Sequence, residues 1–285
     1  MNFAKFGPSG NSESFFAAGH KHTYEEPGFL RELGLDCYEY SAGNGITGGD
    51  AVFRRIGEEG AKHNIALSFH APYFISLSGT DPEKRLGSLR YIKDSVHCAE
   101  LMGADIIVIH CGSASKITRE EALRLSADTL EKALADNPDT AVRFGIETMG
   151  KQNQLGTLDE VLTLCAIDSR LSPVVDFGHL NARECGGVFP DADAYARVFD
   201  AIATRLSPEK AQNLHCHFSK IEFTDKGEKR HLTFEDTVYG PAFEPLGECL
   251  VREGLTPRII CESAGTQADD ALTMKSLYRA RLGLT

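Results

Sequence analysis

Short apolar segments rich in β-forming residues alternate with longer helical patterns along the whole chain, and this alternation constrains the fold more than any other feature. Eight segments have strand character, at residues 4–7, 36–40, 66–70, 105–110, 143–148, 173–177, 213–218 and 257–262. The stretches between them carry apolar residues at spacings of three and four, most cleanly over residues 118–134. Eight alternations predict an α/β fold in which parallel strands are joined by helical crossovers.

Two architectures share this alternation: a closed barrel of eight strand–helix units and an open, doubly wound sheet. A length of 285 residues is normal for one barrel, and no linker or break in composition divides the sequence. We therefore expect a single domain over residues 1–285. The positions of the polar residues separate the two architectures.

Six of the expected strands carry a metal-ligand residue type at their polar end. These residues are His70, His110, Glu147, Asp176, His215 and Glu262. Side chains alternate across a strand, and in a barrel the face that these residues share points to the axis. The six side chains would then converge at the C-terminal mouth, where the active sites of such barrels lie. The sequence therefore predicts a single (β/α)8 TIM barrel with a metal cluster at its C-terminal face.

The chemistry of these side chains favours transition metals. Three carboxylates buried together would repel one another unless cations lay between them. Histidine nitrogen mixed with carboxylate oxygen suits zinc, manganese or iron better than calcium or magnesium. Any one of these residues alone is more often an ordinary strand-end polar group, but a series over six strands indicates a site. Since six ligands exceed the four of a tetrahedral zinc, we expect two or three divalent ions, with zinc favoured.

Other polar residues lie close to the expected mouth. His179 follows Asp176 by three residues, and His231 lies in the loop expected after the seventh strand. These two histidines could form a third metal site, completed by Glu228 or Asp225. His217 shares a strand face with His215, and we expect it to support a ligand by hydrogen bonding rather than to bind metal itself.

Charge and apolar content bound the partners and the location. The formal net charge of −11 disfavours non-specific binding to polyanions, which depends on lysine and arginine, although bound cations can reverse the field at one site. No apolar run approaches the ~18 residues that span a membrane, and the N-terminus lacks the apolar segment of a signal peptide. We expect a cytoplasmic protein, a monomer, without membrane contact.

Six short motifs resemble those of the endonuclease IV family of metal-dependent apurinic/apyrimidinic endonucleases, which are TIM barrels. They are HAPY at 70–73, VIHCGS at 108–113, GIET at 145–148, DFGH at 176–179, HCHFSK at 215–220 and CES at 261–263. They occur in the family's order over nearly the whole chain. The Glu–Asp–His–Glu quartet is less specific, because related sugar isomerases and epimerases use it to bind one metal.

The resemblance implies a role for each matching residue. One metal would be held by His70 and His110, and Glu147 would bridge it to a second metal. Asp176, His215 and Glu262 would complete the ligands of the second metal, and His179 and His231 would bind a third. The metals would activate a water that attacks a phosphodiester of damaged DNA, in DNA repair.

The residues that would meet the substrate follow from the same resemblance and from the basic residues near the mouth. Tyr73 matches a residue that lines the DNA pocket, and Lys220 and Arg230 are basic residues near the mouth. We expect Glu147 and Glu262 to be the catalytic carboxylates.

Two features depart from the family pattern. The family has an aspartate two residues before the histidine at 231, where this chain has Lys229. The loop at 41–50, SAGNGITGGD, has no arginine, lysine or aromatic residue with which to enter a duplex.

Three functions therefore stay open. The first is a phosphodiester hydrolase. The second is a sugar isomerase or epimerase with one metal, and the third is a barrel whose metals are structural.

Overall fold

A computed structural model describes residues 3–284, and eight parallel strands form its central barrel. The strands are β1 (Lys5–Pro8), β2 (Cys37–Ser41), β3 (Ala66–His70), β4 (Ile106–His110), β5 (Arg143–Glu147), β6 (Leu171–Asp176), β7 (His215–Phe218) and β10 (Arg258–Cys261). Their order around the barrel is β1-β10-β7-β6-β5-β4-β3-β2. The barrel closes between β1 and β2, where Ser9 bridges Glu39 and the Gly10 N–H donates to the Glu39 carbonyl at 2.9 Å. The predicted TIM barrel is confirmed.

Helices surround the strands. They are α1 (Glu13–Ala17), α2 (Glu26–Leu33), α3 (Asp50–His63), α4 (Pro82–Met102), α5 (Arg119–Ala135), α6 (Leu158–Cys165), α7 (Phe177–Arg183), α8 (Ala192–Arg205), α9 (Pro208–Gln212), α10 (Glu244–Glu253) and α11 (Gln267–Arg281), with a 3-10 turn at Thr23–Glu25. Particular residues mark where several of these helices begin and end. Asp81 caps α4, Thr157 and Glu160 form a capping box at α6, and Gly34 ends α2 in the left-handed conformation.

A two-stranded antiparallel hairpin, β8 (Ile221–Thr224) and β9 (Gly227–His231), follows β7. The sequence predicted a loop here, and that prediction is wrong. The segment GEKRH has no apolar alternation that would indicate a strand. A bridge between Lys151 and Gly227 ties the hairpin to the loop after β5, so the hairpin lies beside the mouth.

Part of the barrel interior below the mouth is apolar, with Ile106, Val108 and Val174 fully buried against one another. A larger apolar core fills the space between strands and helices. Together these two layers form a rigid support for the residues at the strand ends. Within residues 3–284, no helix is both long and apolar enough to cross a bilayer.

Candidate metal centre at the barrel mouth

The C-terminal ends of neighbouring strands bring histidines and carboxylates together at one face. In the register of the sheet, His110 of β4 lies opposite Glu147 of β5, and Asp176 of β6 lies opposite His217 of β7. Strand β3 ends in His70 beside these pairs, and Glu262 follows the last residue of β10. Parallel strands align all of these ends at the same rim.

The first group of ligand atoms comes from β3, β4 and β5. Nε2 of His70 lies 3.4 Å from Oε2 of Glu147, and Nε2 of His110 lies 3.3 Å from the same oxygen. The other nitrogen of His70, Nδ1, is 2.9 Å from the carbonyl of Ala71, so the proton sits on Nδ1 and Nε2 is free to bind a cation. Oε2 of Glu147 is buried and has no hydrogen-bond partner among residues 3–284.

The second group shares Glu147 with the first. Its ligand atoms come from Glu147, Asp176, His217 and Glu262, and they all lie within 4.8 Å of one another. Nδ1 of His217 lies 3.0 Å from Oε1 of Glu147 and 3.5 Å from Oε1 of Glu262. Oδ2 of Asp176 is buried and makes no hydrogen bond within the described chain. Glu147 therefore has one oxygen on each of two candidate metal positions.

The structure reverses the positions expected for two histidines. His215 was expected in the second group and His217 behind it, yet His217 holds the position in the group. Residues two apart share a strand face but differ in depth. In the register, His215 pairs with Val174, one layer below the mouth, whereas His217 pairs with Asp176. The sequence identifies the face of the strand, and only the register identifies the depth.

Glu39 is a site residue that the sequence analysis missed. It lies in β2, fully buried, and its carboxylate meets Nε2 of both His215 and His217 at 2.9 and 3.0 Å. Burial alone would raise the pKa of Glu39, but the charge of His217 and the hydrogen bond and charge of His215 hold it well below its usual range. The signal in the sequence is a carboxylate between Tyr38 and Tyr40 in an otherwise apolar strand.

A third group, His179, Glu228 and His231, lies at the edge of the mouth. His179 is in α7, whose first turn is capped by Asp176, and its Nε2 lies 3.5 Å from Oε2 of Glu228. Ser219 Oγ is 2.8 Å from Nδ1 of His231. Of the two carboxylates expected here, Glu228 takes part, and Asp225 is exposed in the hairpin turn.

A β-bulge explains why Glu228 can join His231. Residues three apart on a regular strand point to opposite faces. In this hairpin Arg230 pairs with Glu222 and Glu228 pairs with Phe223, so Lys229 is an extra residue between two consecutive pairs. The extra residue turns Glu228 and His231 to the same face. The bulge thus offsets the departure from the family spacing at Lys229.

The carboxylates of the centre have opposing pKa shifts. Burial raises the pKa of Asp176, although the charge of His179 acts to lower it. Burial acts in the same direction on Glu147, but the charge of His217 and hydrogen bonds from His110, His179 and His217 hold its pKa well below its usual range. Ionised carboxylates so close together are stable only beside positive charge, which histidines can supply by protonation and divalent ions supply directly.

The residues fit divalent metal ions. Two buried oxygens, Oε2 of Glu147 and Oδ2 of Asp176, have no hydrogen-bond partner in the described chain and are set among imidazole nitrogens. Nitrogen and carboxylate donors in this ratio match zinc, manganese or iron. One such ion would be held by the first group and another by the second, with Glu147 shared by both groups.

A cavity of about 320 Å³ opens above the ligand groups. Tyr73 lines it and stacks on His110 with ring centroids 5.2 Å apart, while half of its side chain stays exposed. Lys151, which the sequence did not single out, also lines this cavity. Lys220 and Arg230, the two cations expected to meet the substrate, are occupied by other contacts. The ammonium of Lys220 donates to the carbonyls of Phe234 and Asp236.

The guanidinium of Arg230 is exposed and paired with Glu222 at 2.6 Å. A substrate would have to compete with this ion pair for Arg230. Neither Arg230 nor Lys220 lines the cavity. Among the lining residues, Lys151 is therefore the cation available to a substrate.

Comparison with known proteins gives a match over most of the chain. Residues 28–279 match a family model described as xylose isomerase-like TIM barrel. An uncharacterised protein of Methanocaldococcus jannaschii is 28% identical over 248 residues, covering 86% of this chain and 88% of that protein. A protein named probable endonuclease 4, from Mycoplasma genitalium, is 30% identical over 222 residues, covering 76% of this chain and 72% of that protein.

Solved structures share the fold across nearly the full length. The crystal structure of a 3-keto-D-glucoside 4-epimerase from E. coli superposes with a TM-score of 0.68 at 15% identity, covering 97% of this chain and 99% of that one. Endonuclease IV from Thermus thermophilus superposes with a TM-score of 0.67 at 17% identity, covering 99% of both chains. At these identities the likeness shows the fold alone.

Proposed function

The chain belongs to the xylose isomerase-like TIM-barrel family, and from this premise we propose that it is a metal-dependent phosphodiester hydrolase of the endonuclease IV type. Its substrate would be DNA with an abasic or otherwise damaged site. One observation carries the proposal: His70 and His110 converge on the oxygen of Glu147 that faces away from the second group.

The first group adds a metal position that a single-metal enzyme does not need. The second group, with Glu147, Asp176, His217 and Glu262, is by itself a complete ligand set for one ion. Two ions held by one shared carboxylate can stabilise both the attacking and the leaving oxygen of a phosphodiester, and can ionise a water near neutral pH. The additional metal position in the first group is the reason for preferring hydrolysis.

The protein's own residues would position the substrate. Tyr73 presents an exposed aromatic face at the rim, on which an unstacked base or sugar can rest. Lys151 offers an ammonium group to a phosphate in the same cavity. Glu147 and Glu262, both at the cavity wall, would hold the ions rather than move protons.

A sugar isomerase or epimerase is the second candidate. The net charge of −11 and the absence of cations and aromatic side chains from residues 41–50 favour a small neutral substrate over a polyanion. In that enzyme Glu147 and Glu262 would act as acid and base on either side of the substrate carbon, with one metal at the second group. His70 and His110 would then have no metal to bind.

Nicking of abasic DNA tests the proposal directly. Protein loaded with zinc or manganese is mixed with a labelled duplex that contains one abasic site, and with the same duplex undamaged. We expect cleavage at the abasic site only, and loss of detectable cleavage in Glu262→Gln, which keeps the size of the side chain but removes a ligand charge.

Metal content per chain, measured by elemental analysis, separates the two candidates. Two or three ions with nicking above the Glu262→Gln control supports the hydrolase. One ion per chain and no nicking, together with interconversion of ketose sugars, would establish the isomerase instead.

A further inference from the structure

A fully buried carboxylate lies directly below the second ligand group, inside the barrel. It belongs to Glu39 of β2, and its two oxygens have different partners. Oε2 accepts a hydrogen bond from Ser68 Oγ at 2.9 Å and lies 2.9 Å from Nε2 of His215. Oε1 lies 3.0 Å from Nε2 of His217. Ser68 and His215 thus fix the carboxylate, and its remaining oxygen faces His217.

This contact determines which nitrogen of His217 can bind a cation. Nε2 of His217 and Oε1 of Glu39 are buried 3.0 Å apart, and neither has a hydrogen-bond partner within residues 3–284, whereas Nδ1 of His217 hydrogen-bonds with Oε1 of Glu147 at 3.0 Å. When a cation takes Nδ1, the neutral ring must carry its proton on Nε2, 3.0 Å from Oε1 of Glu39. The lone pair of Nδ1 then points into the second ligand group, where Oε1 of Glu147 and Oε1 of Glu262 lie 3.0 and 3.5 Å away. In metal sites the bond made by one imidazole nitrogen sets the tautomer and direction of the other.

We propose that Glu39 is a positioning residue for the second metal, holding His217 in the tautomer and orientation that bind it, with His215 and Ser68 holding Glu39 in turn. The inference rests on the proposed function, because it takes a metal at the second group as given. It assigns His215 to a role behind the ligands.

Stability alone does not account for a charged cluster at this depth. Beside this cluster the barrel interior is apolar, with Val108 and Val174 fully buried. Burying a carboxylate with two histidines carries a desolvation cost, and well-packed apolar residues of similar volume are often at least as stabilising. A role at the metal explains why the polar arrangement sits directly under His217.

Cobalt binding tests the proposal without any substrate. Metal-free full-length protein is titrated with Co²⁺, the visible absorption of the bound ion is followed, and bound cobalt is counted by elemental analysis. Glu39→Gln is compared with the natural chain and with Glu26→Gln. The control makes the same substitution at another fully buried glutamate, in α2, whose carboxylate oxygens have no hydrogen-bond partner among the described residues.

We expect Glu39→Gln to bind one cobalt ion about 10–100-fold more weakly and with an altered absorption spectrum, while the ion at His70 and His110 keeps its affinity. Glu26→Gln should match the natural chain. Equal affinities and spectra in Glu39→Gln and Glu26→Gln would overturn the proposal. If Glu39→Gln does not fold, Ser68→Ala decides the matter. Weaker binding at one site supports the role of Glu39, and unchanged binding refutes it.

The outcome is independent of the nicking assay. If the protein nicks abasic DNA but Glu39→Gln leaves its cobalt binding unchanged, the proposed function stands and this inference fails. If the protein does not nick abasic DNA, yet Glu39→Gln selectively loses one cobalt ion, the proposed hydrolase fails and the role of Glu39 stands.

Discussion

Glu26 and Glu39 are both glutamates with fully buried side chains, but only one of them is compensated. Glu39 meets two histidines and a serine hydroxyl. Both carboxylate oxygens of Glu26 lack a hydrogen-bond partner in the described part of the chain, and burial raises the pKa of Glu26 to about 8. An uncompensated buried carboxylate is a cost to stability that depends on pH.

Glu26→Gln should stabilise the protein at alkaline pH. The folded-state pKa of about 8 lies above the ordinary value of 4.5, so the folded form holds its proton while the unfolded form has lost it. Stability is then fully present below the ordinary pKa and falls by up to ~1.4 kcal/mol per pH unit until the pH passes the folded pKa.

Urea unfolding of both proteins with metal present checks this prediction. At pH 5 the two free energies of unfolding should differ little, and at pH 8.5 the variant should be more stable by about 2–4 kcal/mol. A difference that does not change with pH would contradict the assigned pKa shift of Glu26.

At the level of elements, the hairpin β8–β9 determines whether the third group exists. Its turn depends on Gly227, which has a φ of +89°, and a Cβ built there would lie 2.2 Å from the carbonyl oxygen of Gly150. A side chain at this position must push the hairpin away from the loop after β5. The bulge at Lys229 would move with it, and Glu228 would leave His179.

Gly227→Ala should therefore lower metal content by about one ion per chain and destabilise the fold by roughly 1–2 kcal/mol or more. Gly254→Ala is the matched control, because Gly254 has a φ of +66° at the end of α10 with nothing within 4 Å of a built Cβ. It has the conformational cost without the collision, and its metal content should be unchanged. Equal metal content in the two variants would argue against a third ion at His179.

For the whole molecule, the sequence was sufficient to predict the barrel and most of the residues at its rim. Alternating apolar segments predicted all eight strands of the barrel, and strand-end residues predicted the cluster, because parallel strands leave little freedom in where their ends meet. The depth of His215 against His217 depends on inter-strand register, which pattern alone does not contain. Glu39 was not predicted as a site residue because it lies within a strand rather than at its end. The strand face on which Glu228 lies could not be predicted from the sequence because a β-bulge changes it.

The same convergence predicts how the molecule responds to loss of metal. Ionised carboxylates of Glu147, Asp176 and Glu262 share the mouth, and without cations their repulsion acts against closure of the barrel at that rim. The apolar layers below and outside the strands do not depend on the ions. Chelation should therefore lower the midpoint of thermal unfolding by on the order of 10 °C or more, since tight ligands add several kcal/mol to the folded state.

Circular dichroism with and without chelator measures this effect, with elemental analysis to confirm that the ions have left. The far-ultraviolet spectrum at 25 °C should stay unchanged, and adding Zn²⁺ back should restore the midpoint where Mg²⁺ does not. Glu147→Gln, which loses the carboxylate shared by both ligand groups, should show a much smaller shift on chelation. A midpoint that stays constant after all metal is removed would mean that the cluster at the mouth is not a metal centre.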